Sequence, residues 1–316
     1  MPYAPEEWPI AVSMLPFAGS LATAFSNRSQ RAEYWRLLES VWSEIRGAGF
    51  DRVELATDAV PVDAMDDGEL AHLCETLTAA GLSAASVCVV RKSVIDEKRG
   101  DEYLSVTKRV ISAARELSAT HVAIGLHGQL SVAEAEAQWF WTVPGPPVRV
   151  DDAVRSLAID RIGIIADVAS HAGISISVET YDEGLLADAD SAFSLIKDID
   201  RSNLGINPDL GNLVRVQNKL IPWEYTVAKL LPIANYWHVK NYIRVEKPCT
   251  DEYFTAPSSL PGGVVNYRQA ISYAVRVGFE GTILCEHYGG DSLEMAADHH
   301  RYLRRVLSRV AREATM

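Results

Sequence analysis

The sequence predicts an α/β fold, a (β/α)8 barrel of the TIM type, on three observations. Eight short β-branched runs alternate with longer amphipathic stretches along 316 residues, the count and length of one such barrel. Several of the amphipathic stretches end in glycine just before the next run, as a helix C-terminus does. The first run leads into MLPFAGSLATAF, which lacks the GxGxxG phosphate loop that an open, doubly wound sheet usually carries there.

In chain order, strands are predicted at 10–15 (IAVSML), 52–55 (RVEL), 83–90 (SAASVCVV) and 121–126 (HVAIGL). Four more follow at 174–179 (ISISVE), 203–207 (NLGIN), 234–239 (ANYWHV) and 281–286 (GTILCE). Helical patterns such as YWRLLESVWSEIRGAGF and YLSVTKRVISAARELSA lie between them, with apolar residues at three-and-four spacing. Gly49, Gly81, Gly173 and Gly278 mark helix ends. Two connections exceed simple βα loops: 128–150 after the fourth strand and 244–263 after the seventh. Insertions of that length belong on the face that carries the chemistry. No repeat, low-complexity run or linker divides the chain, so a single domain over 1–316 is expected.

Lys and Arg number 30 against 42 Asp and Glu, a formal net charge of −12, and apolar residues make up 48%. The chain can bury a sizeable core, and its acidity argues against a nucleic-acid or anionic-membrane partner. Cys74, Cys88, Cys249 and Cys285 form no CxxC pair, which fits a reducing compartment better than a disulfide framework. The first residues, MPYAPEEWPIAVSMLPF, are acidic where a secretion signal is basic, and no apolar run spans a bilayer. A cytoplasmic location is expected.

Four residues with metal-ligating chemistry close consecutive strands. Glu179 ends ISISVE, Asp209 follows NLGINP, His238 sits in NYWHVK and Glu286 ends GTILCE. Their spacings of 30, 29 and 48 residues correspond to one repeat, one repeat, and a repeat plus the inserted loop. In a barrel all four face the mouth at the C-terminal ends of neighbouring strands. Any one alone reads as a solvated strand-end carboxylate or a locally bonded histidine; four in phase with the repeat read as a site. Three carboxylates so close repel unless a cation lies between them. Oxygen donors with one imidazole suit a single divalent metal, Mn²⁺ first, with Mg²⁺, Co²⁺ or Zn²⁺ as alternatives.

The segments SVETYDEG, NPDLGN, WHVKNYIR and CEHYGGD resemble the four metal-bearing segments of the xylose-isomerase-like barrels. That family of sugar phosphate isomerases and epimerases includes ketose 3-epimerases and inosose dehydratases, with endonuclease IV more distant. The resemblance implies that Glu179, Asp209, His238 and Glu286 hold the metal, and that Glu179 and Glu286 also flank the substrate as acid and base. Two positions depart from the family pattern: Asn212 stands where epimerases commonly have His, and Lys240–Asn241 replaces the usual Lys–Asp. Asn212 also removes a ligand that endonuclease IV requires, so a DNA-repair role is not expected. The two-metal motif of xylose isomerase itself is lacking. The large subunits of C-glycoside deglycosidases, which cleave 3-oxo-glucosides by elimination with a smaller partner subunit, form the branch to which Asn212 and the aromatic insertion point.

Chemically, a metal that binds a carbonyl and its neighbouring hydroxyl acidifies the C–H between them, and two carboxylates can remove and return the proton. Return from the other face epimerises, return at the neighbour isomerises, and loss of a β-leaving group eliminates. The expected activity is therefore a metal-dependent isomerase or epimerase of a ketose or oxo-sugar. A lyase acting on an oxo-glycoside or a cyclic polyol ketone is the alternative, and a non-catalytic sugar-binding subunit is the second. A homo-oligomer, or a complex with a smaller subunit, is the expected assembly.

Further candidates surround the four. Lys240 shares the inward face of His238, either as an enolate stabiliser or in an interior ion pair. His127 ends the fourth strand and is a candidate acid or base. Glu54 can bind sugar hydroxyls or pair with a cation, and Asn212 is a substrate-binding candidate. Arg244 matches a substrate-contacting position of the epimerases, or is a loop charge. Trp139 and Trp141 can stack on substrate, anchor their loop or meet a partner chain. His287 should point away from the mouth, and His299–His300 should lie on the surface.

Overall fold

The computed structural model describes residues 1–143, 145–215, 220–247 and 253–314. It begins with β1 (Ile10–Ser13), α1 (Ala18–Ser26), α2 (Arg31–Gly47), β2 (Arg52–Ala56), α3 (Asp67–Ala79), β3 (Ser83–Val89), α4 (Gly100–Glu116) and β4 (His121–Ile124). Next come α5 (Val132–Glu136), α6 (Asp152–Ala172), β5 (Ser175–Glu179), α7 (Ala189–Ile199), β6 (Leu204–Asn207), α8 (Leu210–Val214), α9 (Trp223–Leu230) and β7 (Tyr236–Val239). The chain continues through β8 (Asn241–Glu246), β9 (Tyr253–Ser258), α10 (Tyr267–Arg276), β10 (Thr282–Cys285) and α11 (Ser292–Ala314).

Eight of these strands pair in parallel in the order β6-β5-β4-β3-β2-β1-β10-β7. A parallel bridge between Ile206 and Ala234 brings β6 and β7 together and nearly closes the ring. The protein is a (β/α)8 barrel. Each predicted strand is present, with its ends shifted by no more than two residues. Gly49, Gly81, Gly173 and Gly278 all take positive φ, as the helix-end reading requires.

Alternation along the strands sorts the side chains. Trp237 and Val239 of β7, and Ile283 and Cys285 of β10, face the surrounding helices and join the main apolar core. Tyr236 and Leu284 point inward, where they pack with Ala11 and Ala85 as a plug beneath the mouth. Trp8 seals the floor: its indole donates to the Gly281 carbonyl at 3.2 Å and stacks on Phe279. Above the plug the inward positions turn polar, with Glu54, Ser86, His238 and Glu286 all buried.

Both insertions acquire structure of their own. Residues 128–150 hold the short α5 and a 3-10 turn over Phe140–Thr142. The second insertion is an antiparallel hairpin of β8 and β9, which starts at Asn241 rather than at 244. The Asn241 amide sets that start by donating to the carbonyls of Leu260 and Val265. Cys249 lies outside the described residues. Cys74, Cys88 and Cys285 are free thiols. Among the described residues no helix is long and apolar enough to cross a membrane.

Gly281, entering β10, leaves no room for a side chain: an added Cβ would meet the Asn235 carbonyl oxygen at 2.4 Å. Gly281→Ala is expected to cost about 1–3 kcal/mol by overpacking. Calorimetry should then record a Tm several degrees lower, and an unchanged Tm would contradict this packing of the barrel floor.

Candidate metal centre

Four neighbouring strand ends deliver the four predicted residues to one point. Glu179 is the last residue of β5, and Glu286 follows β10 with its N–H donating to the Val239 carbonyl. His238 sits in β7, where its N–H donates to Asn207 Oδ1 at 2.7 Å. Asp209 is the N-cap of α8 and accepts the Asn212 N–H on Oδ1 at 3.1 Å, which fixes its rotamer and turns Oδ2 toward the others.

The imidazole is the hub. His238 Nδ1 lies 3.4 Å from Glu179 Oε1, 3.4 Å from Glu286 Oε2 and 3.9 Å from Asp209 Oδ2. It is buried and has no hydrogen-bond partner among the described residues. On the other edge of the ring, Nε2 lies 3.2 Å from Glu54 Oε2, which also accepts from Ser86 Oγ at 2.7 Å. Burial disfavours the His238 cation, but Glu54 and Glu179 outweigh it and raise its pKa well above the ordinary histidine range. With a metal ion bound, a proton kept on Nε2 and donated to Glu54 would leave the Nδ1 lone pair for the ion. That is how a second carboxylate orients a ligating histidine.

The donor set fits a divalent cation. The four donor atoms lie within 4.8 Å of one another. Around an ion with bonds of ~2.1 Å, adjacent donors lie about 3 Å apart and opposite donors about 4.2 Å apart. The spacing is thus long for hydrogen bonds and right for a shared ion. The buried Glu/Asp/His cluster can hold a metal.

The protein's own charges compensate the carboxylates only partly. Lys240 Nζ lies 2.7 Å from Asp209 Oδ2 and 2.9 Å from Glu286 Oε2, the interior ion-pair arrangement. Burial works against the Glu286 anion, but Lys240 and His238 outweigh it and bring its pKa down to about 2. Glu179 follows the same logic: burial is overcome by His238 and Lys240, which hold it below the usual carboxylate range. For Asp209 burial prevails over Lys240 and, with the charges of Glu179 and Glu286 added, pushes its pKa up to about 7.

A cavity of about 220 Å³ opens over the cluster, lined among others by Glu54, His127, Glu179, Asn212, His238, Lys240 and Glu286. A larger groove of about 960 Å³ on the flank, between Leu15–Phe17 and Gly289–Glu294, contains none of the four cluster residues, so convergent chemistry rather than size marks the site. His127 stacks on Tyr181 with ring centroids 3.9 Å apart, and burial lowers its pKa to about 4. Asn212 donates to Glu179 Oε1 at 2.9 Å, so it holds a cluster residue as well as lining the cavity. Glu54 is engaged below the cluster by His238 and Ser86, which favours the cation-pairing role over the sugar-binding one.

Other expectations are corrected. Arg244 lies on the hairpin, where it donates to the Val214 carbonyl and stacks on Tyr253, and it does not line this cavity. Trp141 is buried, with its indole N–H donating to Thr255 Oγ1 at 3.0 Å. Trp139 stacks on Trp141 and packs over Gly289, where an added Cβ would sit 2.3 Å from the ring. Neither indole lines the cavity; Phe140, between them, does. His287 faces away from the cluster, as expected, but His299 is fully buried and meets it edge-on at 5.6 Å.

Arg91, Tyr181 and Tyr288 in the cavity wall, and Arg215, carry no signal in the sequence pattern. Arg215 is fully buried, paired with Asp182 at 2.8 Å, and lies within 5.1 Å of the Phe140, Trp141 and Tyr181 ring centroids. Thr255 Oγ1, which accepts from Trp141, donates to the Arg215 carbonyl, so this arginine joins the two insertions above the mouth. Its partners come from three separate segments, and no local pattern announces them.

Residues 42–306 match the family model described as xylose isomerase-like TIM barrel. The chain belongs to that family. A xylose isomerase-like TIM barrel protein from Mycobacterium smegmatis, solved in complex with magnesium, is 34% identical, with a TM-score of 0.87 over 98% of this chain and 99% of that one. D-psicose 3-epimerase from Clostridium cellulolyticum H10, solved with D-tagatose, shares the fold at 12% identity (TM-score 0.62, 97% and 98% covered). So does a probable 3-DHS dehydratase from Bacillus anthracis at 16% identity (TM-score 0.62, 93% and 98% covered). Comparison with curated proteins gives no significant match. The fold neighbours of this family member thus include an epimerase and a dehydratase.

If the cluster binds a divalent ion, Mg²⁺ or Mn²⁺ at 100 times Kd should stabilise the fold by about 2.7 kcal/mol, read as a raised Tm that EDTA reverses. Glu54→Gln, which weakens the acceptor for His238 Nε2, should lower Mn²⁺ affinity about 10–100-fold by calorimetric titration. A Tm indifferent to every divalent cation would rule the centre out.

Proposed function

We propose that this protein is a divalent-metal-dependent isomerase or epimerase that moves a proton on the carbon beside the carbonyl of a monosaccharide-sized ketose or oxo-sugar. One observation carries the reading. Glu179 commits Oε1 to the cluster, held by Asn212, and Glu286 commits Oε2, held by Lys240. Among the described residues these contacts engage one oxygen of each carboxylate, and both residues line the cavity. The two come from the outer members of the four-strand run β5, β6, β7, β10, so they approach the cavity from different sides of the mouth. One such carboxylate can remove a proton from a carbon and the other can return it from the opposite face.

A divalent cation held by Glu179, Asp209, His238 and Glu286 supplies Lewis-acid polarisation of a carbonyl and its neighbouring hydroxyl. Mg²⁺ or Mn²⁺ suits these donors, and the Mycobacterium smegmatis relative was solved with magnesium. Lys240 keeps Glu286 ionised at neutral pH and offers its one remaining N–H donor where negative charge develops on substrate oxygen. His127, with its pKa lowered to about 4 by burial, serves as a neutral hydrogen-bonding ring rather than an imidazolium acid.

Size and packing support a small substrate over an aromatic glycoside. The cavity of about 220 Å³ is smaller than the ~300–1,000 Å³ typical of drug-sized ligands. The two tryptophans expected to stack on substrate are instead packed against each other, Gly289 and the hairpin. The free thiols support placing the reaction in a reducing, cytoplasmic compartment.

With Mn²⁺ and a panel of ketoses in D₂O, the product is expected to carry one solvent deuterium on the carbon beside the carbonyl. Glu286→Gln should slow that exchange about 10²–10⁴-fold, with cation binding checked separately. Release of water or an aglycone without any epimer or isomer would replace this reading with a lyase.

A further inference from the structure

We propose that the substrate of this site is anionic, and that Arg91 binds its carboxylate or phosphate group at the end of the cavity away from the cluster. The inference rests on the sugar-binding reading above and narrows the substrate class. Arg91 stands two residues beyond β3 and lines the cavity across from the strands that bear the carboxylates. Lys240, the other cation in the wall, is committed to Asp209 and Glu286. Among the described residues, no carboxylate lies within 4 Å of the Arg91 guanidinium; Asp58, which also lines the cavity and has Lys92 as its stronger cationic neighbour, and Glu183 act on it only from farther away.

Its partners among the described residues are neutral. Nη1 donates to the Gly128 carbonyl at 3.0 Å and Nη2 to the Tyr181 hydroxyl at 2.8 Å, with the Phe140 ring centroid 4.7 Å away. A guanidinium has five N–H donors, so three stay available in a fixed planar fork. Because Tyr181 accepts from Arg91, its own O–H is free to donate. His127, stacked on Tyr181, also lines the cavity, and its buried Nδ1 has no partner among the described residues. Arginine, tyrosine and histidine thus gather donors along the β3–β4–β5 side.

The backbone adds a separate sign. Arg91 has φ of 47°, in the left-handed region that non-glycine residues avoid, and the Gln129 side chain donates to its carbonyl. A long side chain held in that conformation at a cavity wall is a residue whose position is imposed. A ligand spanning the space would present vicinal oxygens to the cluster and an anion to Arg91.

D-fructose, D-fructuronate and D-fructose 6-phosphate share the ketose end and differ only at the far carbon. Calorimetric titration of the whole protein with each, with and without Mn²⁺, tests the idea. At least one anionic sugar should bind about tenfold or more tightly than fructose, as a charge-assisted contact does. Preference for fructuronate assigns a sugar acid, and preference for the phosphate assigns a sugar phosphate. In Arg91→Gln the preference should shrink to about twofold, while Arg91→Lys, which keeps the charge without the fork, should retain part of it. Equal binding of all three sugars by the unmodified protein, or an undiminished preference in Arg91→Gln, would overturn the proposal. Failure of Mn²⁺ to bind would instead overturn the metal reading, since the anion preference is also measured without the cation.

Discussion

Four carboxylates buried around one imidazole are the constraint that organises the rest of this molecule. Glu54, Glu179, Asp209 and Glu286 all lie within 3.9 Å of a His238 ring nitrogen, and each is at most 8% exposed. Removing ionised groups from water costs several kcal/mol each unless charge and hydrogen bonds compensate. Lys240 serves two of them, Asn212 a third, and Ser86 with His238 the fourth. One buried ammonium and one imidazolium do not neutralise four carboxylates. A divalent cation at Nδ1 would close most of the difference, so the same excess that burdens the fold defines the site.

The groups that hold the cluster are themselves held. Tyr267 donates to the Lys240 carbonyl, Asn207 accepts the His238 N–H, and Asp209 spends its second oxygen on capping α8. Each cluster residue therefore has its rotamer set by something other than a metal. Such preorganisation keeps a site from reorganising when charge develops during reaction. The polar layer stands on an apolar plug of Ala11, Ala85, Tyr236 and Leu284, which keeps the barrel interior packed below it.

The mouth is asymmetric. The arc from β5 through β10 bears Glu179 and Glu286, the β2 side bears Glu54 and Asp58, and the β3–β4 side bears Arg91 and His127. Above them, Arg215 gathers Phe140, Trp141 and Tyr181 and ties the first insertion to the hairpin through Thr255. A fold shared with both an epimerase and a dehydratase leaves the choice of substrate to such loops. The aromatic residues that looked like a stacking platform are spent on building this roof.

What the sequence determined by itself follows from two periods. Alternation of two along a strand and a repeat of about 30 residues between strands place Glu179, Asp209, His238 and Glu286 on one rim, whatever the loops do. The eight strands and the glycine-terminated helices were legible for the same reason, since each is written in local pattern. Tertiary structure alone decided the remaining roles, because their partners are remote in the chain. Glu54 became the support of His238, 184 residues away, and Trp141 the anchor of Thr255, 114 residues away. Arg244 was drawn to Tyr253 by a hairpin whose start the pattern misplaced. His299, polar on an amphipathic helix, was buried against His287. Arg91 and Arg215 had no sequence signal, since a cation's meaning depends on which carboxylates and rings the fold brings near it, and that is a property of the closed barrel.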